Sequence, residues 1–507
     1  MEKDTCKEGR STFSRNSSIG YYDDRRSEGV PFKWEMQPGT PIKSQPQETV
    51  PPLSPPPAML SRGLPKPSIS IEEPKSFVFP SKLKLKLRNW KHLHCKRYFS
   101  RLTNKMAEEE EERRRHLVLA KPFSLEDENN SEHTASNVIR RILSLFKNVR
   151  PGSDLTNFQL PPQLNLPRSQ LQCYGEMIYS LGGQDLLGAC SRRDLPIERL
   201  KSVVTWNIST LRPVVFGMSP YNPVLGETHH VSNGYINVIA EQVVHHPPVS
   251  ALHATHEKEN IDVMWCQYFT PKFRGTYVDV EVKGKRVMKL LNRKETYEMN
   301  QPRLIMRFLP TPGAHWAGKV KIKCPETDLE AELNLISDSF IERFRGNKNR
   351  SIKGKIFESS TGNQLYNIFG HWDRTVMAKN LKTGELEVIY NAKENIAELK
   401  PPTVKNPKEV MESESGIIWS EVSEGILKNE WESAREAKSL VEKKQRESLK
   451  QREASGELWV PKHFSMVKDG KDWDCSPLHS TVPRAPLVVT EAEGETINQF
   501  QDNNNLC

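Results

Sequence analysis

The sequence predicts a mainly β fold with added helices: a large antiparallel meander curled into a barrel. Three observations lead there. Between about residues 234 and 392, short β-rich runs follow one another at close intervals. Examples are Tyr235–Val244, Asp262–Tyr268, Gly275–Val282, Arg303–Phe308, Leu329–Ile336, Gly354–Glu358, Gln364–Phe369 and Leu386–Tyr390. Gly, Pro, Asn and Lys-Gly turns separate them, as hairpin connections require. No helical patterns of about 10–15 residues alternate with these runs, which argues against a parallel α/β sheet.

Helices flank the β-rich region. Over Asn137–Val149, the residues Ile139, Ile142, Leu143 and Phe146 fall at i, i+3, i+4 and i+7 and make one apolar stripe. Arg140, Arg141, Ser144 and Lys147 occupy the other face, and Arg150-Pro151-Gly152 stops the helix. Such a segment suits a membrane surface, the cover of an apolar opening, or a plain surface helix. Residues 170–210 read as helical, with a break at Arg192-Arg193-Asp194-Leu195 and a restart at Pro196. Trp431–Glu453 reads as a long charged helix, followed by a small packed piece around Trp459-Val460-Pro461-Lys462-His463-Phe464 and Trp473.

The ends of the chain have a different composition. Hydrophobic residues are 36% of the 507, below the roughly 45–50% of compact domains, although that benchmark counts Gly and omits Tyr. Runs such as Pro51-Pro52-Leu53-Ser54-Pro55-Pro56-Pro57 favour extended backbone without a core. The expected organisation is a disordered, Pro-rich basic extension over 1–105 and a charged linker over 106–136. A folded domain over 137–490 and a disordered tail over 491–507 complete it. The composition changes abruptly at Met106, which makes that residue a candidate alternative start.

Charge follows the same division. The net charge is +9, and residues 1–105 hold 20 basic and 10 acidic side chains, leaving 53 and 54 for the remainder. Ser81–Lys105 carries nine Lys or Arg and no acid, a block suited to anionic lipid, nucleic acid or a nuclear signal, or else a solvated tail. The folded part shows no basic stripe, so nucleic acid is not an expected partner of it. No apolar run reaches a membrane-spanning length, and MEKDTCKEGR lacks the apolar region of a secretory leader. Eight scattered Cys without a C-x-x-C pair argue against a disulfide scaffold or a structural zinc site and fit a reducing cytosol.

Two segments concentrate chemistry-bearing residues: Pro220-Tyr221-Asn222-Pro223-Val224-Leu225-Gly226-Glu227-Thr228 and Glu241-Gln242-Val243-Val244-His245-His246-Pro247-Pro248. The prolines end a strand, so His245 and His246 are free to turn toward one rim. Paired imidazoles there bind an anion, bind a metal or transfer protons. His229, His230, Glu227 and Glu241 would be further metal ligands, but no helical H-E-x-x-H spacing or nearby Cys supports a metal. No G-x-S-x-G elbow supports a nucleophile.

The second segment resembles the E-[KQ]-x-S-H-H-P-P signature of the oxysterol-binding-protein-related family, with Val244 in place of the usual Ser. The first resembles another block of that family, and Gly370-His371-Trp372 resembles its late G-x-W. The likeness runs from about Val138 to Pro486 and is closest to short plant members. It implies a nearly closed antiparallel β-barrel around a lipid tunnel, an N-terminal lid over 137–165 formed by Ile139, Ile142, Leu143 and Phe146, and a C-terminal helical piece. It also implies binding of phosphatidylinositol 4-phosphate and of a sterol-like or other second lipid, exchanged between membranes.

By the same resemblance, His245 and His246 hold the 4-phosphate, and Lys438, Glu442 and Arg446 supply a Lys-Glu-Arg set spaced by four. Asn222 holds the loop or touches the headgroup. The family usually has Lys where this chain has Ser219, which implies weaker headgroup affinity or a substitute cation. The resulting expectation is a cytosolic carrier that is not an enzyme and needs no cofactor or metal. It would be peripheral at endoplasmic reticulum or Golgi membranes, with a transient membrane contact. The alternative is a lipid sensor or tether without net transport. No two-phenylalanine acidic tract stands out, although an endoplasmic-reticulum membrane receptor remains a candidate partner.

Overall fold

The computed structural model describes residues 117–125, 135–156, 158–180, 184–309, 312–336, 350–396, 399–469 and 472–489. The expectations for the 1–105 extension, the Met106 start, most of the 106–136 linker and the 491–507 tail lie outside them. Helix α1 is Ala135–Leu145. Strand β1 (Asn165–Ser169) leads into α2 (Gln170–Tyr179), α3 (Leu186–Arg192) and α4 (Pro196–Ser209). The strands β2 (Ser219–Tyr221), β3 (Thr228–Asn233), β4 (Ile236–Val244), β5 (Val249–His256), β6 (Ile261–Phe273) and β7 (Tyr277–Leu290) follow. Next come β8 (Glu295–Met299), β9 (Arg303–Arg307), β10 (Gly313–Cys324) and β11 (Leu329–Leu335). Then come β12 (Ser351–Glu358), β13 (Gln364–His371), β14 (Thr375–Asn380) and β15 (Leu386–Asn391). Beyond them lie α5 (Ala392–Asn395), β16 (Thr403–Val404), α6 (Ser415–Ile418), α7 (Ser420–Leu427) and α8 (Trp431–Ser455). The hairpin β17 (Phe464–Asp469) and β18 (Asp472–Pro477) precedes the short β19 (Leu487–Val488).

Local chemistry sets the helix ends. Ser169 and Gln172 form a capping box at the start of α2. Pro196 opens α4 at its first turn, as the sequence predicts. Gly456, in the left-handed conformation at φ 69°, ends α8.

Fifteen strands form one sheet, running β15-β14-β13-β12-β11-β10-β8-β7-β6-β5-β4-β3-β19-β16, with β9 bridging β10 and β7. Flat, at about 4.8 Å per strand, such a sheet would be roughly 65 Å wide. Yet one apolar cluster contains Val231 of β3, Trp265 of β6, Ile322 of β10 and Val376 of β14, with Trp206 and Leu200 of α4. Only a sheet curled around its helices brings those residues together. Neither β15 nor β16 pairs with the other, so the barrel stays open along one seam.

The alternation expected of half-buried strands holds in β11 but fails in β4 and β5, where all but one residue is buried. Helix α2 covers the inner face of β3–β5. The β17–β18 hairpin covers the outer face, packing Phe464 and Cys475 against Ile239, Val249 and Tyr268. The linker expectation needs correction, because Leu117–Leu125 packs against the domain. Val118 donates its N–H to Gly416 O at 3.2 Å, and Leu117, Leu119 and Leu125 join the main core. That stretch is apolar, Leu-Val-Leu-Ala, and the charged residues around it obscured the signal.

Two buried glutamates join distant segments. Glu227 is fully buried and accepts from Ser169 Oγ, from Ser415 Oγ at 2.7 Å, from Trp419 Nε1 at 2.8 Å and from Val224 N at 3.0 Å. Glu241 accepts the backbone N–H groups of Lys462 and His463, both at 2.8 Å. Burial pushes both carboxyls above their ordinary range, and these hydrogen bonds oppose the shift. Glu227→Ala strands several buried donors at about 1–3 kcal/mol each. The expected loss is at least about 3 kcal/mol in urea unfolding; a midpoint within error of the parent would show that Glu227 does not join these segments.

Candidate functional site

A cavity of about 370 Å³ lies between α1, α2 and the strands β6, β7, β9 and β10. Phe269, Val278, Val280, Leu304, Met306 and Trp316 form its apolar wall. The roof comes from Ile142, Leu145 and Phe146 of the α1 segment, joined by Phe158 and Leu160 of the returning chain. Phe146 stacks on Phe158, Phe273 and Phe308 with centroid distances of 5.3, 5.0 and 5.4 Å. Ile142 is buried and Ile139 half-buried, but Leu143 is 40% exposed. The inward path runs 142, 145/146, 149, so Leu145 takes the place the sequence assigns to Leu143, which lies about 100° away around the helix. The floor is polar. Arg168 pairs with Glu176 at 2.9 Å, and Arg212 donates to the carbonyl of Ser180 at 2.8 Å.

The loop from Ser219 to Pro223 lines one end of the cavity. Asn222 lines it and is also exposed, so this end reaches solvent. The loop runs between two basic groups. At one side Lys438 donates to Leu160 O and to Asn165 Oδ1 at 2.7 Å, and Asn165 Nδ2 donates to Ser219 O at 3.1 Å. Asn165 thus links Lys438 to the backbone of Ser219. At the other side His245 lies against the Pro223 carbonyl, its ring centroid 4.3 Å from that of His246.

Electrostatics give the rim its character. Burial depresses the His245 pKa to about 4, with neighbouring His246 and Arg452 acting in the same direction and the Pro223 carbonyl opposing. Burial also lowers Lys438 from its ordinary value, opposed by Glu442 at 4.0 Å. His245 Nδ1, Arg452 Nη2 and Gln445 Nε2 are buried without hydrogen-bond partners. In both groups burial disfavours the charged form, and a nearby anion would oppose that effect.

The helical set differs from the sequence expectation at one position. Lys438 and Glu442 are largely covered, whereas Arg446 is 55% exposed and its nearest acid is Glu442 at 3.9 Å. Eight residues turn a helix by about 800°, which leaves Arg446 roughly 80° around from Lys438; seven and fourteen residues keep Gln445 and Arg452 within about 40°. Sequence reasoning missed Arg452, whose guanidinium sits 5.6 Å from the Trp459 ring centroid, and also Asn165. Val244 packs partly into the outer apolar cluster, so its departure from Ser falls on a packing position.

The metal alternative finds no donor set. His229 is engaged at both nitrogens, with Glu414 at 2.6 Å and Tyr179 OH at 3.0 Å, and His230 Nε2 meets Pro483 O at 2.9 Å. Among the described residues no three His, Cys, Asp or Glu side chains form a metal-holding group, and no helix is long and apolar enough to cross a membrane.

Comparison with known proteins bears on this arrangement. The family model described as oxysterol-binding protein matches residues 142–425. Oxysterol-binding protein-related protein 4B of Arabidopsis thaliana is 88% identical over 381 residues, 75% of this chain and 100% of that protein. Related protein 4A of the same plant is 86% identical over 383 residues, 76% of this chain and 99% of that protein. Among solved structures, the Osh3 ORD in complex with PI(4)P from Saccharomyces cerevisiae matches with a TM-score of 0.52 at 20% identity. It covers 72% of this chain and 93% of that one. The Osh1 ORD domain in complex with cholesterol gives a TM-score of 0.54 at 21% identity over 65% and 84%. These two likenesses show a shared fold. The chain belongs to the oxysterol-binding protein family.

Proposed function

We propose that the protein is a lipid carrier that holds phosphatidylinositol 4-phosphate by its headgroup at the rim and, in alternation, a sterol or other second lipid. It moves them between membranes from the cytosol, in transient contact with endoplasmic reticulum or Golgi surfaces. The observation that carries this reading is a roofed apolar cavity whose open end is formed by the Ser219–Pro223 loop, with Lys438 tied to one side of that loop and His245 to the other. A cavity of this size falls within the range of about 300–1,000 Å³ typical of small-ligand sites. Exposing an acyl tail to water costs about 0.8 kcal/mol per CH₂, so a roofed apolar path removes most of the barrier to leaving a bilayer.

Each rim group has a role in this reading. His245 and His246 face the phosphate as donors, Lys438 and Arg452 supply charge, and Glu442 accepts from ring hydroxyls. Asn222 holds the loop open toward solvent. No bond is made or broken, so lipid recovered after incubation should be chemically unchanged by mass spectrometry. The second reading is a sensor or tether, and it would bind lipid without moving it between two liposome populations.

Three outcomes test the reading. His245→Ala with His246→Ala should cut extraction of phosphatidylinositol 4-phosphate from liposomes at least about tenfold while extraction of the second lipid survives. Undiminished extraction refutes the headgroup role. Deleting residues 137–149 should slow transfer or make bound lipid leak, and rates equal to the parent would remove the lid from the mechanism.

The third outcome concerns protons. Unliganded, His245 titrates near 4, below the ordinary 6.5, so the folded state binds fewer protons than the unfolded state. Stability is present above about 6.5 and is lost as pH falls through that window. A bound phosphate raises the His245 pKa, so binding takes up a proton and affinity weakens as pH rises. The headgroup phosphate also titrates, near 6, so the comparison is with His245→Gln. Calorimetry near pH 6.5 in two buffers of different protonation enthalpy should show more proton uptake in the parent; equal uptake contradicts this role.

A further inference from the structure

Beside the rim, the chain leaves α8 through Gly456 and enters the segment Glu457-Leu458-Trp459-Val460-Pro461. Its side chains alternate sharply between solvent and protein. Leu458 is 86% exposed and Val460 71% exposed, the two most exposed large apolar side chains among the described residues. Between them Trp459 turns inward, and a Cβ placed on Gly226 would come within 2.6 Å of its indole. Gly226, at φ +80°, leaves room for that ring where another residue would not.

The segment is anchored at both ends. Glu457 N–H donates to Arg452 O at 3.1 Å, and the N–H groups of Lys462 and His463 are held by Glu241. Two apolar tips therefore stand on a fixed mount, without a partner within the domain. Their position is defined by the rim itself. Arg452 lies over Trp459 and next to His245, and Gly226 is three residues from Pro223.

The surroundings are basic. From Val441 to Lys462 the sequence holds six Lys or Arg and four Glu. Two of those glutamates, Glu442 and Glu447, already lie against Lys438 and Lys443, at 4.0 and 3.9 Å. Exposed apolar tips within a positive surround match the interfacial layer of a bilayer with acidic lipid, where a side chain buries its carbons while nearby cations meet headgroups. A protein partner would be expected to offer a larger matching apolar surface.

We propose that Leu458 and Val460 form a membrane wedge, which inserts into an anionic bilayer and sets the open end of the cavity against the lipid surface. The wedge rests on the carrier reading only in supposing that the rim meets a membrane. Two side chains give weak, reversible attachment, which suits a protein that must leave with its cargo.

The test uses the full chain and phosphatidylcholine vesicles containing phosphatidylserine and no phosphoinositide. Leu458→Ser with Val460→Ser should lower vesicle partition at least about tenfold, a lower bound set by only partial burial of the two apolar side chains. Leu458→Phe with Val460→Phe should raise it. Binding of a water-soluble short-chain phosphatidylinositol 4-phosphate should be the same in both variants and the parent. Unchanged partition in both variants overturns the wedge and leaves the pair to a protein partner. Loss of short-chain lipid binding in the Ser variant also overturns it, by moving these residues into the headgroup site. If the parent itself fails to bind the short-chain lipid, the headgroup reading fails while vesicle partition still decides the wedge.

Discussion

The carboxylate of Glu241 holds the mouth together. It sits on β4, four residues before the histidine pair, and receives two backbone N–H groups from Lys462 and His463, more than 200 residues later. Those contacts fix the far end of the segment that follows α8. The other end is fixed by the helix cap at Gly456. Between the two, Trp459 closes on Gly226 and Arg452 approaches His245. Glu227 does the same on the other side, tying β1, α6 and α7 to the loop that lines the opening. Buried carboxylates are costly unless every lone pair is engaged, and here the engaged partners are the segments that must meet. Both glutamates belong to the two sequence blocks with the densest chemistry, and both act by positioning.

That division explains what the sequence disclosed. The antiparallel strands were legible wherever one face meets solvent, as in β11, because alternation survives there. It vanishes in β4 and β5, which are covered on one side by α2 and on the other by the β17–β18 hairpin. The α1 stripe was legible except at one residue, since Leu143 and Leu145 are equally apolar and only packing distinguishes them. His245, His246, Lys438 and Glu442 were named through family resemblance. Arg452 and Asn165 were not, because one lies fourteen residues beyond Lys438 on a charged helix and the other is a lone amide in a loop-like run. Nothing local marks either.

The rim also shows how a site can be specific for an anion before any anion arrives. Lys438 sits among carbonyl and amide oxygens with one distant carboxylate, and His245 sits beside a second imidazole and a guanidinium. Burial disfavours the charged form of each group. In the proposed carrier a bound phosphate would offset that penalty at both. A neutral lipid in the same cavity would leave the rim as it is, which separates headgroup recognition at the mouth from chain recognition along the wall. In the proposed carrier, two cargoes would exclude one another from the cavity without sharing rim groups.

The roof must then be firm enough to exclude water and weak enough to lift. Phe146 contacts Phe158, Phe273 and Phe308, and aromatic pairs of this kind contribute about 0.5–1.5 kcal/mol each beyond their burial. The segment is short and amphipathic, with Arg140 and Arg141 exposed on its outer face. Lifting it exposes Ile142, Leu145 and Phe146, and in water that is unfavourable. Against a bilayer the same side chains find an apolar medium, and the cost largely cancels. In the proposed carrier, the open state would be favoured by its differential affinity for the membrane, as any population shift requires. A roof built from bilayer-compatible side chains would then close in solution and open at a membrane without any further signal.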